Sequence, residues 1–204
     1  MIKFNSVSKS FDGKKIVEDL NLEFPEKTVV CLSGESGIGK STILNLISGL
    51  EKCDSGEIIG IENKSFSYVF QDDRLIEWLS VLENITVVLN STKRIEKNKT
   101  AEHWLEKFDL LNCKYKYPSE LSGGMRRKLS IARALAFSGD IFLLDEPFKG
   151  LDKKSKQNVA KVILSNSKNK LVILVSHEPD EIKMMEVDKI YHINKSPINT
   201  ILST

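Results

Sequence analysis

Near the start of the chain, Gly34-Glu35-Ser36-Gly37-Ile38-Gly39-Lys40-Ser41, with Thr42 behind it, places glycines, a lysine and hydroxyls at a defined spacing. It matches G-x-x-x-x-G-K-[ST], the pattern of a loop that cradles phosphates. The chemistry follows from the residue types. Glycines let consecutive backbone N–H groups turn toward an anion. Lys40 has the reach for the β- and γ-phosphates of a nucleotide, and the Ser41 hydroxyl is suited to Mg²⁺. A helix starting at this point would add the positive end of its dipole.

Two further clusters could act beside that loop. Asp145 and Glu146 close the apolar run Ile141-Phe142-Leu143-Leu144. Acidic residues at the C-terminal end of a buried strand face the crevice where open α/β sheets bind ligands. Next to bound phosphates, Asp145 would help hold Mg²⁺ through water, and Glu146 could polarise an attacking water. Leu121-Ser122-Gly123-Gly124-Met125 joins a hydroxyl and two glycines to the start of a helical pattern. It reads either as a second anion loop serving the nucleotide of another copy of the chain or as an N-cap by Ser122.

The elements that must position these groups can be read from periodicity. Thr28 to Leu32 is a short apolar run suited to a buried strand, and Ile43, Leu44, Leu46, Ile47 and Leu50 follow at helical spacing. The glycine loop thus joins a strand to a helix. Upstream, residues 1–33 read as strands, with Asp12-Gly13 as a hairpin turn. Ile58-Ile59 and Tyr68-Val69-Phe70 read as short strands. Helical spacing then appears at Val81 to Leu89, Trp104 to Leu111 and Gly124 to Phe137. Continuous apolar runs return at 141–144 and 171–175, the mark of parallel strands covered on both faces. Helices are expected over 153–167 and 178–186, and a last strand over Lys189 to Ile193. The expectation is an α/β domain over 1–204: a mostly parallel sheet with helices on both faces, an N-terminal antiparallel β region, and a helical subdomain inserted at about 74–136.

Composition narrows the classes. With 204 residues the chain can bury a substantial core, and a formal net charge of +2 gives no electrostatic case for nucleic acid. Cys31, Cys53 and Cys113 are scattered, which fits neither a disulfide framework nor a zinc site and suits a reducing cytoplasm. The N-terminus does not read as a signal peptide, and no stretch approaches the ~18–20 apolar residues that span a bilayer.

Taken together, Gly34–Thr42, Gln71, Leu121–Met125, Asp145-Glu146, Asp152 and His177 resemble, in order and over nearly the whole chain, the nucleotide-binding subunit of ATP-binding cassette (ABC) transporters. The resemblance implies a P-loop core, ATP and Mg²⁺ as cofactors, and a dimer that closes on ATP. It implies that Phe11 stacks on adenine, with the ring but not the hydroxyl of the usual tyrosine. It implies that Gln71 touches Mg²⁺ and the attacking water, that Glu146 is the base, that His177 contacts the γ-phosphate, and that Asp152 communicates across the dimer. His103 and His192 match nothing. Phe70-Gln71-Asp72-Asp73-Arg74-Leu75-Ile76-Glu77-Trp78 and Met125 are similar to importers of the nitrate, sulfonate and taurine group. Glu77 stands where proline is usual, and Lys149-Gly150 replaces a small pair. The implied partners are an integral-membrane permease and a solute-binding protein, with the chain on the cytoplasmic face of the membrane. The alternatives are an export or lipid-handling ABC ATPase and a soluble ABC ATPase of DNA repair or translation; the chain shows neither the long coiled coil nor the fused second cassette usual in the soluble class. Leu75, Ile76, Trp78 and Leu79, beside Asp72, Asp73, Arg74 and Glu77, read as a docking groove for the permease or as core beneath a charged loop.

Overall fold

The computed structural model describes residues 1–204. In chain order the strands are β1 (Ile2–Phe11), β2 (Lys14–Phe24), β3 (Val29–Gly34), β4 (Ser55–Ile59), β5 (Phe66–Val69), β6 (Ile141–Asp145), β7 (Leu171–Val175), β8 (Lys189–Ile193) and β9 (Leu202–Ser203). The α-helices are α1 (Lys40–Ser48), α2 (Val81–Thr86), α3 (Arg94–Lys107), α4 (Gly123–Phe137), α5 (Lys153–Asn166) and α6 (Pro179–Met184).

Two sheets form. β2-β1-β4 is antiparallel, and its β1–β2 hairpin turns through Asp12 (φ 48°) and Gly13 (φ 77°), the left-handed pair that matches strand twist. The larger sheet has the order β5-β6-β7-β3-β8-β9 and is parallel except for β9. In β3, β6 and β7 both faces are covered, which is why these segments read as unbroken apolar runs. Val30 and Leu32 share one buried cluster with Phe4, Leu20, Phe24 and α1. Cys31 points the other way, with Phe142, Leu144 and the apolar faces of α4 and α5.

The chain between β5 and β6 supplies α2, α3 and α4. Ser80 and Glu83 form a reciprocal capping box that fixes the start of α2. That helix ends at Thr86 instead of running to Leu89: Val88 and Leu89 make only tight turn bonds, to the Ile85 and Thr86 carbonyls. The α3 helix begins ten residues before the Trp104 at which apolar spacing becomes visible. Its earlier turns are almost wholly polar, so periodicity was silent there. Leu111 falls in a 3₁₀ turn. In α4 the apolar Leu129, Ile131, Ala132 and Leu135 are all buried.

A strap after β8 ties the two sheets together. The Ile198 N–H donates to the Ile16 carbonyl at 2.8 Å, and the Glu18 N–H donates to Ile198 at 2.9 Å. Ile198 itself is fully buried. No helix is long and apolar enough to cross a membrane.

Candidate active site

Strand order decides which residues meet. Because β5, β6, β7 and β3 are neighbours and run the same way, the loops at their C-terminal ends lie side by side. Those loops carry Gln71, Asp145-Glu146, His177 and Gly34–Ser41. One cavity of about 180 Å³ is lined by Ser36, Gly37, Gly39, Lys40, Ser41, Thr42, Gln71, Asp145 and Glu146, with Val175. A second, of about 340 Å³, shares Ser36, Gln71 and Glu146 with the first and adds His177 and Lys149.

The loop has the backbone its glycines permit. Gly37 (φ 76°) and Gly39 (φ 117°) are left-handed, and α1 starts at Lys40. A Cβ on Gly39 would sit 2.7 Å from Ile16 Cγ2 and 3.0 Å from Ile198 Cδ1, so the strap and β2 form the floor of the loop. Lys40 is buried, and its Nζ donates to the carbonyls of Gly34 (2.8 Å) and Glu35 (2.7 Å). One of its three ammonium hydrogens remains for a ligand. Burial lowers the Lys40 pKa, and Glu146 and Asp145 oppose that shift. Asp145 is 4% exposed. Burial pushes its carboxyl upward and Glu146 adds repulsion, while a hydrogen bond from Ser41, and the charges of Arg127 and Lys40, pull it down. Ordered phosphates and a divalent cation would answer both strains, because they supply opposite charge to Lys40 and to Asp145.

Glu146 takes a left-handed backbone (φ 46°), uncommon for a residue with a side chain. The Gln71 Nε2 donates to its Oε2 at 3.4 Å, and Lys149 Nζ lies 3.7 Å from the same oxygen. His177 is exposed, with Nε2 3.3 Å from Glu178 Oε1. Just before it, the Ser176 hydroxyl donates to Glu181 Oε2 at 2.6 Å, and Glu181 pairs with Lys156 at 2.6 Å.

The remaining predicted residues lie outside these cavities. Phe11 ends β1, is 39% exposed, and has Lys9 Nζ 4.9 Å from its ring centre. Ser122 caps α4 by accepting from the Met125 N–H at 3.3 Å, and Gly123 and Gly124 open that helix. Asp152 caps α5 through the Ser155 N–H at 3.0 Å. Trp78 is 80% exposed, which removes it from the core; Leu75 is buried, and Ile76 and Leu79 are half-buried. No group of three or more His, Cys, Asp or Glu side chains could hold a metal unaided. A hydroxyl (Ser41), an amide (Gln71) and a carboxylate (Asp145) fit Mg²⁺, which takes few protein oxygens and completes its shell with phosphate and water.

The sequence marks neither Arg127 nor Lys149 as a site residue, and gives no sign of the Ile16–Ile198 floor. Arg127 carried one signal: it lies on the same buried face of α4 as Ile131 and Ala134, where a charge is out of place.

A glycine loop between strand and helix, with an acidic pair at the end of a parallel strand one position removed in the same sheet, defines a P-loop nucleoside-triphosphate-binding protein. Residues 17–149 match the ABC transporter family. The aliphatic sulfonates import ATP-binding protein SsuB of Zymomonas mobilis is 38% identical over 97% of this chain and 83% of that protein. The nitrate import ATP-binding protein NrtD of Synechococcus elongatus is 31% identical over 98% of this chain and 78% of that protein. A dimeric ATP-binding cassette in a post-hydrolysis state with ADP and Pi superposes with a TM-score of 0.86 at 28% identity, covering 94% of each chain. The chain belongs to the ABC transporter family, as one of its ATPases.

Proposed function

We propose that this chain is the ATP-hydrolysing subunit of an importer for a small anionic solute, acting on a separate permease. The observation that carries the reading is the convergence of Ser36, Gly37, Gly39–Thr42, Gln71, Asp145, Glu146 and His177 on adjoining cavities. Relatives named for sulfonate and nitrate import support the direction of transport and the solute class.

The residues divide the work. The N–H groups of Gly34 to Thr42, with Lys40, hold the phosphates in place, and Phe11 stacks on the base. Ser41, Gln71 and Asp145 hold Mg²⁺, which neutralises phosphate charge when bound. Glu146 takes the proton of the attacking water, which Gln71 orients, and His177 donates toward the γ-phosphoryl oxygens. Most of the rate comes from positioning and charge stabilisation, as phosphoryl transfer demands.

A second copy completes the site. Ser122, Gly123 and Gly124 of one chain face the nucleotide held by Lys40 of the other, and Asp152 lies at that seam. The helices of about 74–136 act as a subdomain that carries the Ser122 loop. The exposed Trp78, beside half-buried Ile76 and Leu79, offers the permease an apolar anchor with a charged rim. The chain then works from the cytoplasmic face of the membrane, and a solute-binding protein delivers the cargo to the permease.

Glu146→Gln tests the chemistry. It should bind MgATP as the parent does and hydrolyse it about 10²–10⁴-fold more slowly. Turnover near the parental rate removes Glu146 from the role of base.

A further inference from the structure

One buried cation joins both halves of the hydrolytic machinery without touching the cavity. Arg127, on the first turns of α4, is 3% exposed. Its Nε donates to the Pro147 carbonyl at 3.0 Å. Its Nη2 donates to the carbonyls of Asp145 (2.8 Å) and Glu146 (2.6 Å). Its Nη1 donates to the carbonyls of Phe70 (2.6 Å) and Gln71 (3.3 Å) and meets Asp73 Oδ1 at 3.4 Å. Every N–H of the guanidinium is engaged, mostly by backbone.

That arrangement is costly and specific. Burial pushes the Arg127 pKa down, so the charge is held against a desolvation penalty. The partners are carbonyls at or just beyond the ends of β5 and β6, two adjacent strands whose own ladder stops at Val69 and Leu144. Beyond that point no ladder bond fixes Gln71 relative to Glu146; the direct contact between them is one long side-chain bond of 3.4 Å. The Glu146 backbone is also left-handed, a conformation that persists only where surroundings enforce it. The Glu146 N–H donates to Val175 (3.1 Å) and its carbonyl accepts from the Lys149 N–H (3.2 Å), but of these groups only the planar fork of Arg127 also reaches Gln71, a span a lysine could not reproduce.

We propose that Arg127 is a positioning residue for hydrolysis: one guanidinium clamps the carbonyls of Gln71 and Glu146, setting the amide and carboxylate at the separation the attacking water needs. The inference rests on the proposed roles of Gln71 and Glu146. Because Arg127 sits four residues beyond Gly123 on the same helix, the clamp also ties the Ser122 loop to this geometry. Phosphate binding does not pass through Arg127, since no phosphate-loop atom contacts it.

The test separates turnover from binding in the full chain. Arg127→Lys and Arg127→Gln should keep the MgATP Kd within about threefold of the parent. Their kcat should fall about 10–100-fold, the cost of misplacing reacting groups by an ångström or less. Asp73→Ala, which removes the one long side-chain contact and spares the five carbonyl bonds, should keep kcat within about threefold. Circular dichroism and thermal melting report the folded fraction of each variant. The proposal is overturned if folded Arg127 variants turn over within threefold of the parent, or if kcat and ATP binding fall together with the folded fraction. ATPase activity in the parent with unchanged Arg127 variants defeats this inference alone. A parent chain with no ATPase activity defeats the functional reading along with it.

Discussion

Replacing Gly39 by alanine should hurt this protein more than replacing Gly37, and the difference can be worked out from the floor beneath the loop. Both glycines are left-handed, at φ 76° for Gly37 and 117° for Gly39. An alanine at Gly37 meets nothing within 4 Å, so it costs only the backbone penalty, about 1–2 kcal/mol. An alanine at Gly39 would place its Cβ 2.7 Å from Ile16 Cγ2, closer than real Cβ atoms come, and 3.0 Å from Ile198 Cδ1, which is tight. Overpacking of that kind adds about 1–3 kcal/mol. At about 2–4 °C per kcal/mol for a chain of this size, Gly39→Ala should melt about 2–12 °C below Gly37→Ala. Differential scanning calorimetry measures the gap. A double-mutant cycle assigns it: in an Ile16→Ala background the penalty at Gly39 should shrink by at least about 0.5 kcal/mol. Equal melting of the two alanine variants, or strict additivity with Ile16→Ala, would refute the floor as the cause.

Three further outcomes follow from the site. Burial first, and Glu146 second, raise the Asp145 pKa, so between the ordinary carboxylate range and the raised value the folded chain holds more protons than the unfolded one and stability falls as pH rises. Asp145→Asn should therefore melt above the parent at neutral pH, with the advantage closing toward about pH 4, and should lose stabilisation by MgATP; a lower Tm at neutral pH contradicts this. Ser122→Arg and Lys40→Ala should each be inactive alone, while a mixture should recover ATPase activity at the one site with both residues intact; full activity of either variant alone excludes the shared site. Trp78→Ala should change stability by no more than about 0.5 kcal/mol, because the indole is 80% exposed, yet should abolish co-purification with the permease; normal assembly would move the docking site elsewhere.

The fold was most legible where burial is two-sided. Continuous apolar runs mark β3, β6 and β7 directly, and they place the acidic pair at the end of β6 from sequence alone. Legibility failed where the physics is not periodic. The early turns of α3 are nearly all polar, and β9 is a two-residue strand held only by pairing with β8. The glycine loop could be read as a phosphate cradle, but its floor could not, since Ile16 and Ile198 come from segments far apart in the chain. Arg127 stands out only as a charge on an apolar helix face; its partners do not, because they are carbonyls, which every residue carries and no sequence advertises.

Trp78 and Trp104 are the only tryptophans in the chain, and they occupy opposite environments. Trp104 is half-buried against the helical core, with Lys107 over its ring. Trp78 stands in solvent. An indole in water emits at long wavelength and is open to collisional quenching by iodide, whereas one in an apolar groove is shielded from both. The protein thus carries a native optical gauge at the surface proposed for docking. Removing Trp104 would isolate its signal, so that engagement of a partner could be followed in real time without any added label.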